Sequence, residues 1–147
     1  MKKMILGLAL VLTLTATTAF AGGDVIPEKA LESFKSEFST AQNISWSTDN
    51  MYYKATFVLN GQNVFAYFNP EGEFISTARY LSTLQLPINL LAGLKNGYSK
   101  YWVSDLIEVS NKAGTTYYIT LENADAKLML KSSNSGFWAM HNKKQKV

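Results

Sequence analysis

From Tyr53 to Phe68 the chain alternates apolar and polar residues on both sides of an Asn60-Gly61 pair. Alternation with period two is the mark of a strand with one buried face. Asn-Gly accepts the positive φ that both central residues of a type I′ turn require, so this stretch predicts a β-hairpin. In it Ala55, Phe57, Val64, Ala66 and Phe68 share one face. Lys54, Thr56, Phe65 and Tyr67 share the other. A hairpin alone is marginal in water and needs more strands or a helix against its apolar face.

Both are present in the sequence. Pro27 opens a segment in which Ala30, Leu31, Phe34 and Phe38 follow helical spacing, with Glu28, Glu32, Lys35 and Glu37 on the other faces. Ile44–Ser47 is a short strand candidate. Asn69-Pro70-Glu71-Gly72 is a turn, and a strand runs from Phe74 to Leu81. Leu86-Pro87 begins a second helix, with Ile88, Leu91, Leu94 or Lys95, and Tyr98 on its buried side, Leu90 widening the stripe and Gly97 as its stop. Strands are predicted near 100–111, 115–122, 126–132 and 137–142.

The halves echo each other. Ile26-Pro27, Leu31, Phe34 and Phe38 recur 60 residues on as Leu86-Pro87, Leu91, Leu94 and Tyr98. Tyr53, Ala55, Phe57, Val64, Gly72 and Phe74 recur 64 residues on as Tyr117, Ile119, Leu121, Leu128, Gly136 and Trp138. The reading is a duplicated unit. The fold class expected is α+β: two tandem helix-plus-antiparallel-strands repeats, about 22–84 and 85–147, forming one sheet with helices packed on one face. The opposite face is left open.

The first 21 residues read as a secretory signal. Lys2 and Lys3 precede an apolar run of 11 residues, Met4 to Leu14, and Ala19-Phe20-Ala21 supplies the small residues of a cleavage site. A membrane span needs roughly 20 apolar residues. Residues 22–147 are then a single domain, periplasmic or secreted, with no transmembrane segment after signal removal. Cysteine is absent. That excludes disulfides, thiolate metal sites and a cysteine nucleophile, so an exported domain must rely on its core. Loss of Lys2 and Lys3 lowers the formal charge from +3 to +1, too little for a nucleic-acid-binding face. Lys143, Lys144 and Lys146 read as a solvated tail.

Catalytic equipment is not evident. His141 is the single histidine and has no HxxxH or HExxH spacing. The carboxylate pairs Glu28/Glu32 and Glu71/Glu73 fall on solvated positions, where nothing shifts a pKa toward general acid–base work. No Gly-x-Ser-x-Gly elbow, phosphate loop or dinucleotide fingerprint occurs. No enzyme activity, metal or cofactor is expected.

The pattern of helix Ala30–Phe38, Ile44-Ser45-Trp46, Tyr53–Phe57 ahead of Asn60-Gly61, Ala66–Asn69, Gly72-Glu73-Phe74 and Leu86-Pro87 resembles the small exported PepSY-like proteins, with their β-lactamase-inhibitor-protein-like tandem architecture. The resemblance implies a periplasmic or secreted non-enzyme whose sheet can act as a docking surface. It supplies no fixed set of functional residues. Leu106 stands where Trp46 would repeat, and the second half has no Asn-Gly hairpin.

The candidate site is therefore the outward face of the sheet. Phe65, Tyr67 and Tyr118 supply rigid rings there, with Lys54, Lys127, Met129 and Lys131 around them. Such a mixed surface suits partner recognition. The function expected is a non-catalytic protein-binding or inhibitory module whose partner is another exported or envelope protein. The alternative is a small-molecule carrier with an apolar cavity between helices and sheet.

Overall fold

The computed structural model describes residues 19–20, 25–49, 51–133 and 136–146. Apart from Ala19 and Phe20, the predicted signal lies outside them. Those two residues (β1) pair in parallel with the next strand, Ala19 beside Ser45 and Phe20 beside Trp46. The chain then forms α1 (Glu28–Glu37), β2 (Gln42–Asp49), β3 (Tyr52–Leu59), β4 (Gln62–Phe68) and β5 (Phe74–Tyr80). A 3-10 turn, Thr83–Gln85, leads to α2 (Ile88–Gly97), β6 (Trp102–Asn111), β7 (Gly114–Glu122), β8 (Ala126–Ser133) and β9 (Ala139–Gln145). The strands lie in sequence order in one sheet, and every pair from β2 to β9 is antiparallel.

The predicted hairpin is present. Leu59 pairs with Gln62, Asn60 and Gly61 take φ of 50° and 77°, and Phe57 faces Val64. Phe57, Val64, Ala66 and Phe68 bury with Trp46, Ala30 and Phe34 in one cluster under α1. Phe57 is 1% exposed and meets Phe34 edge-on with ring centroids 4.9 Å apart. A second cluster lies under α2 and joins Leu86, Leu90 and Leu94 to Leu106, Ile119, Leu121, Leu128 and Leu130.

The expectation of two tandem helix-plus-strands repeats is overturned. About 54% of the described residues lie in strands against 19% in helices, and the strands make one dominant sheet that two short helices only partly cover. The halves also part in detail. β6 runs 10 residues where β2 runs 8, and β9 is exposed along its whole length while β5 is mostly half-buried. The physical reason is that any meander of half-buried strands produces the same alternation of apolar residues. Matching offsets therefore register strand spacing, not a repeated folding unit.

Other boundaries move too. Ile88, predicted to be buried, is 85% exposed. The buried stripe is Leu86, Leu90 and Leu94, four residues apart, because Leu86 anchors the helix entry and fixes its rotation. The last strand runs past the predicted end at 142: Lys143 and Lys144 are solvent-exposed, as expected, but belong to β9, which pairs along β8.

Side-chain bonds seat the helices on turns of the sheet. Ser33 Oγ donates to the Gly72 carbonyl at 3.2 Å. Gly72 has φ of +79°, and a Cβ there would lie 2.7 Å from the Ala30 backbone nitrogen. Both its conformation and α1 thus require glycine. On the other side Asn89 Nδ2 donates to the Gly136 carbonyl and Trp138 Nε1 to the Leu90 carbonyl, each at 2.9 Å. These bonds tie α2 to the β8–β9 connection.

Truncation of Phe57 to alanine is expected to lower unfolding free energy by about 3–5 kcal/mol, through lost burial and the cavity left behind. Phe65→Ala, on the opposite face of the neighbouring strand, is expected to cost much less. Urea denaturation of both variants checks the contrast.

Candidate functional site

Side chains alternate across a strand, so residues between the core positions emerge on the sheet face away from the helices. Strand registers order that face into rows. Lys54, Tyr67 and Ser76 form one; Thr56, Phe65, Ala78, Val109, Thr116 and Ser133 the next. Tyr80, Ile107, Tyr118, Lys131 and Ala139 follow. Beyond them lie Asp105, Thr120, Met129 and Asn142, then Trp102, Glu122, Lys127 and Lys144. All seven residues singled out from the sequence belong to these rows.

The seven fall into separate groups. In the first, Lys54 Nζ lies 5.8 Å from the centre of the Phe65 ring, and Tyr80 meets that ring edge-on at 6.0 Å. Tyr67 belongs here: partial burial, then the nearby Tyr80 and Asp49, push its phenol above the ordinary value. In the second, Lys131 Nζ lies 5.7 Å from the centre of the Tyr118 ring, whose other neighbour is His141, also at 5.7 Å. Lys127 and Met129 stand apart, lining a shallow cleft of about 170 Å³ with Asn142 and Lys144.

Cation–ring pairs at exposed sites contribute about 0.5–1 kcal/mol. That is small beside what a buried ring contributes. Phe65, Tyr67 and Tyr118 remain half-buried, and Tyr80 is 61% exposed.

Sequence reasoning missed Tyr80, Trp102, His141, Asn142 and Lys144. Tyr80 had a usable signal, since it sits two residues beyond Ala78 on the same strand face. His141 had none. Met129 pairs with Asn142 and Leu130 with Met140, so His141 is the extra residue of a bulge, and bulges re-aim side chains. Trp102 is reached by Lys146, whose Nζ lies 5.0 Å from its ring centre.

One carboxylate organises this far edge. Glu122 accepts from Lys146 at 2.8 Å and lies 3.3 Å from Lys127. Lys146, then Ser104 and Lys127, pull its pKa down to about 2. Lys146 also donates to the Asn123 carbonyl at 2.9 Å, which fastens the end of the chain.

Chemistry is sparse elsewhere. Among the described residues no cluster of His, Asp and Glu could hold a metal ion, and no helix is long and apolar enough to cross a membrane. The carrier alternative finds no support. Phe34, Phe38, Trp46, Phe57 and Phe68 fill the space under α1. A cleft of about 210 Å³ beside α2 is lined by Asn89, Thr115, Tyr117 and Ser132 as well as by Leu90, so it is mixed rather than apolar.

A meandering antiparallel sheet, screened on one face by two helices and open on the other, is the BLIP-like fold, as comparison with solved structures shows. A BLIP-like protein from Bacteroides fragilis aligns with a TM-score of 0.72 at 22% identity, over 84% of this chain and 89% of that one. A DUF2874 family protein from Bacteroides ovatus gives 0.72 at 26% identity, with the same shares of 84% and 89%. A protein from Bacteroides eggerthii, provisionally described as periplasmic, gives 0.70 at 20% identity, over 83% and 90%. Neither a family model nor a curated protein matches the sequence.

The Glu122 cluster makes a titration prediction. Its folded pKa lies below the ordinary value of 4.5, so its stabilising contribution is full above 4.5 and is lost as pH falls through about 2. Carboxyl-carbon NMR is expected to place its midpoint near 2 and to find it raised toward 4.5 in Lys146→Gln.

Proposed function

We propose that the chain is an exported, non-catalytic binding module, inhibitor-like in character, which docks another exported or envelope protein on the open face of its sheet. Supporting this is one observation above all. An uninterrupted strand surface carries two lysine-and-ring groups, Lys54–Phe65–Tyr80 and Lys131–Tyr118–His141, in adjacent rows. Interfaces are enriched in rings of this kind, held rigid at low entropic cost and flanked by polar groups that orient the partner.

The two groups meet through the row Tyr80–Ile107–Tyr118, so one partner surface could touch both. The BLIP-like character of the B. fragilis neighbour favours an inhibitor-like role, and the description of the B. eggerthii neighbour favours the periplasm. Kinship with PepSY-like proteins rests on the sequence pattern and is part of the same proposal. Residues 1–21 as a cleaved signal belong to it as well.

The test replaces Phe65, Tyr67 and Tyr118 together by serine. Capture of an envelope protein by the mature chain is expected to be lost, while circular dichroism and the unfolding midpoint show a folded domain. A matched change on the helical side, Ile88→Ser, is expected to leave capture intact. Undiminished capture by the triple variant would overturn the proposal.

A further inference from the structure

Where β8 and β9 form the margin of the open face, Lys127 and Lys144 are directly paired across the strands. Like charges placed opposite each other in a sheet are destabilising. Opposite-sign pairing would be the ordinary choice at such a position. Glu122 relieves the repulsion only in part, because Lys146 is its shorter partner at 2.8 Å and Lys127 lies at 3.3 Å. Two lysines thus share one carboxylate, and the third, Lys144, makes no ion pair among the described residues.

Between the two lysines lies the cleft of about 170 Å³, with Met129 and Asn142 as its other walls. Met129 and Asn142 form the adjacent row, so a thioether and an amide lie one step along the strands from the two ammonium groups. The other open-face carboxylate of this region, Asp105, is separated from Met129 by Thr120 on the intervening strand. Asp125 sits in the β7–β8 turn, where its backbone carbonyl accepts from the Lys146 amide at 2.8 Å.

We infer that this cleft is a carboxylate-binding subsite, taking an aspartate or glutamate side chain from an acidic segment of the docked partner. Lys127 and Lys144 supply charge-assisted hydrogen bonds, Asn142 a neutral donor, and Met129 an apolar contact for the side-chain methylenes. The volume suits one such side chain. This rests on the open face being the docking surface, and it names the chemistry that the partner must present at one margin. The ring groups would provide anchoring, whereas the lysine cleft would fix register and exclude partners with a basic residue there.

The test uses acetyl-(Glu)4-amide as probe on the mature protein, followed by backbone and lysine-Nζ NMR, with acetyl-(Gln)4-amide and inorganic phosphate as comparisons. Shifts are expected to concentrate at Lys127, Met129, Asn142 and Lys144, and to weaken as salt rises. Lys144→Gln is expected to weaken the peptide by about tenfold, the scale of one charge-assisted hydrogen bond. Since Lys144 is exposed on an edge strand, that variant should fold. Shifts spread over all surface lysines, equal response to phosphate, or an unchanged Lys144→Gln would overturn the subsite. If the peptide ignores the cleft while the triple serine variant loses capture, the subsite falls and the docking face stands. If the peptide binds there and capture survives the triple variant, the docking face falls instead.

Discussion

The pairing of β5 with β6 is the constraint on which the rest of the molecule depends. Four registered pairs, from Thr77 beside Ser110 to Tyr80 beside Ile107, join the strands beneath α1 to those beneath α2. Without them there would be two small sheets, each with two edges, and no common outer surface. With them, the two apolar clusters hang from one backbone ladder, and the face away from the helices is continuous from β2 to β9. The joint is braced on the helical side. Arg79 binds Glu108 through two nitrogens, at 2.7 and 3.3 Å, and reaches Gln62 at 2.7 Å. These polar groups occupy the gap between the two cores, where neither helix supplies apolar cover.

The two faces of the sheet carry different residues. One side of each strand carries Phe57, Phe68, Ile119, Leu121 or Leu130, all nearly sealed from water. The other side carries rings held by lysines and by one another. Because the two sets alternate along the same strands, a change on the open face need not disturb the core. The fold persists at low sequence identity, since this chain shares only 17–26% with the solved structures it matches.

Most of the elements and the facing of their side chains were legible in the sequence. Asn60-Gly61 set the register of the hairpin, and that register placed Phe65 and Tyr67 opposite the helices. The duplicated unit was a misreading, since strand alternation has only one period and cannot tell a repeated module from a longer meander. Ile88 was misplaced because a helix that is apolar on several sides does not declare its buried stripe until Leu86 is anchored. The lysine tail is solvated as expected, but the last strand runs on to Gln145 instead of ending near 142, because pairing along β8 is a long-range contact, which the composition of the tail does not encode.

By itself, the sequence determined an antiparallel sheet protein without disulfides, two helices, a core drawn from the alternating apolar positions, and a face on which Lys54, Phe65, Tyr67, Tyr118, Lys127, Met129 and Lys131 would lie. Local periodicity and turn chemistry suffice for that much, because each acts over a few residues. Only the tertiary structure decided which of those residues are neighbours. Tyr80 reaches Phe65, His141 reaches Tyr118 through a bulge, and Lys144 stands opposite Lys127. Such contacts are set by the register between strands, and register is a property of paired chains that no single stretch of sequence contains.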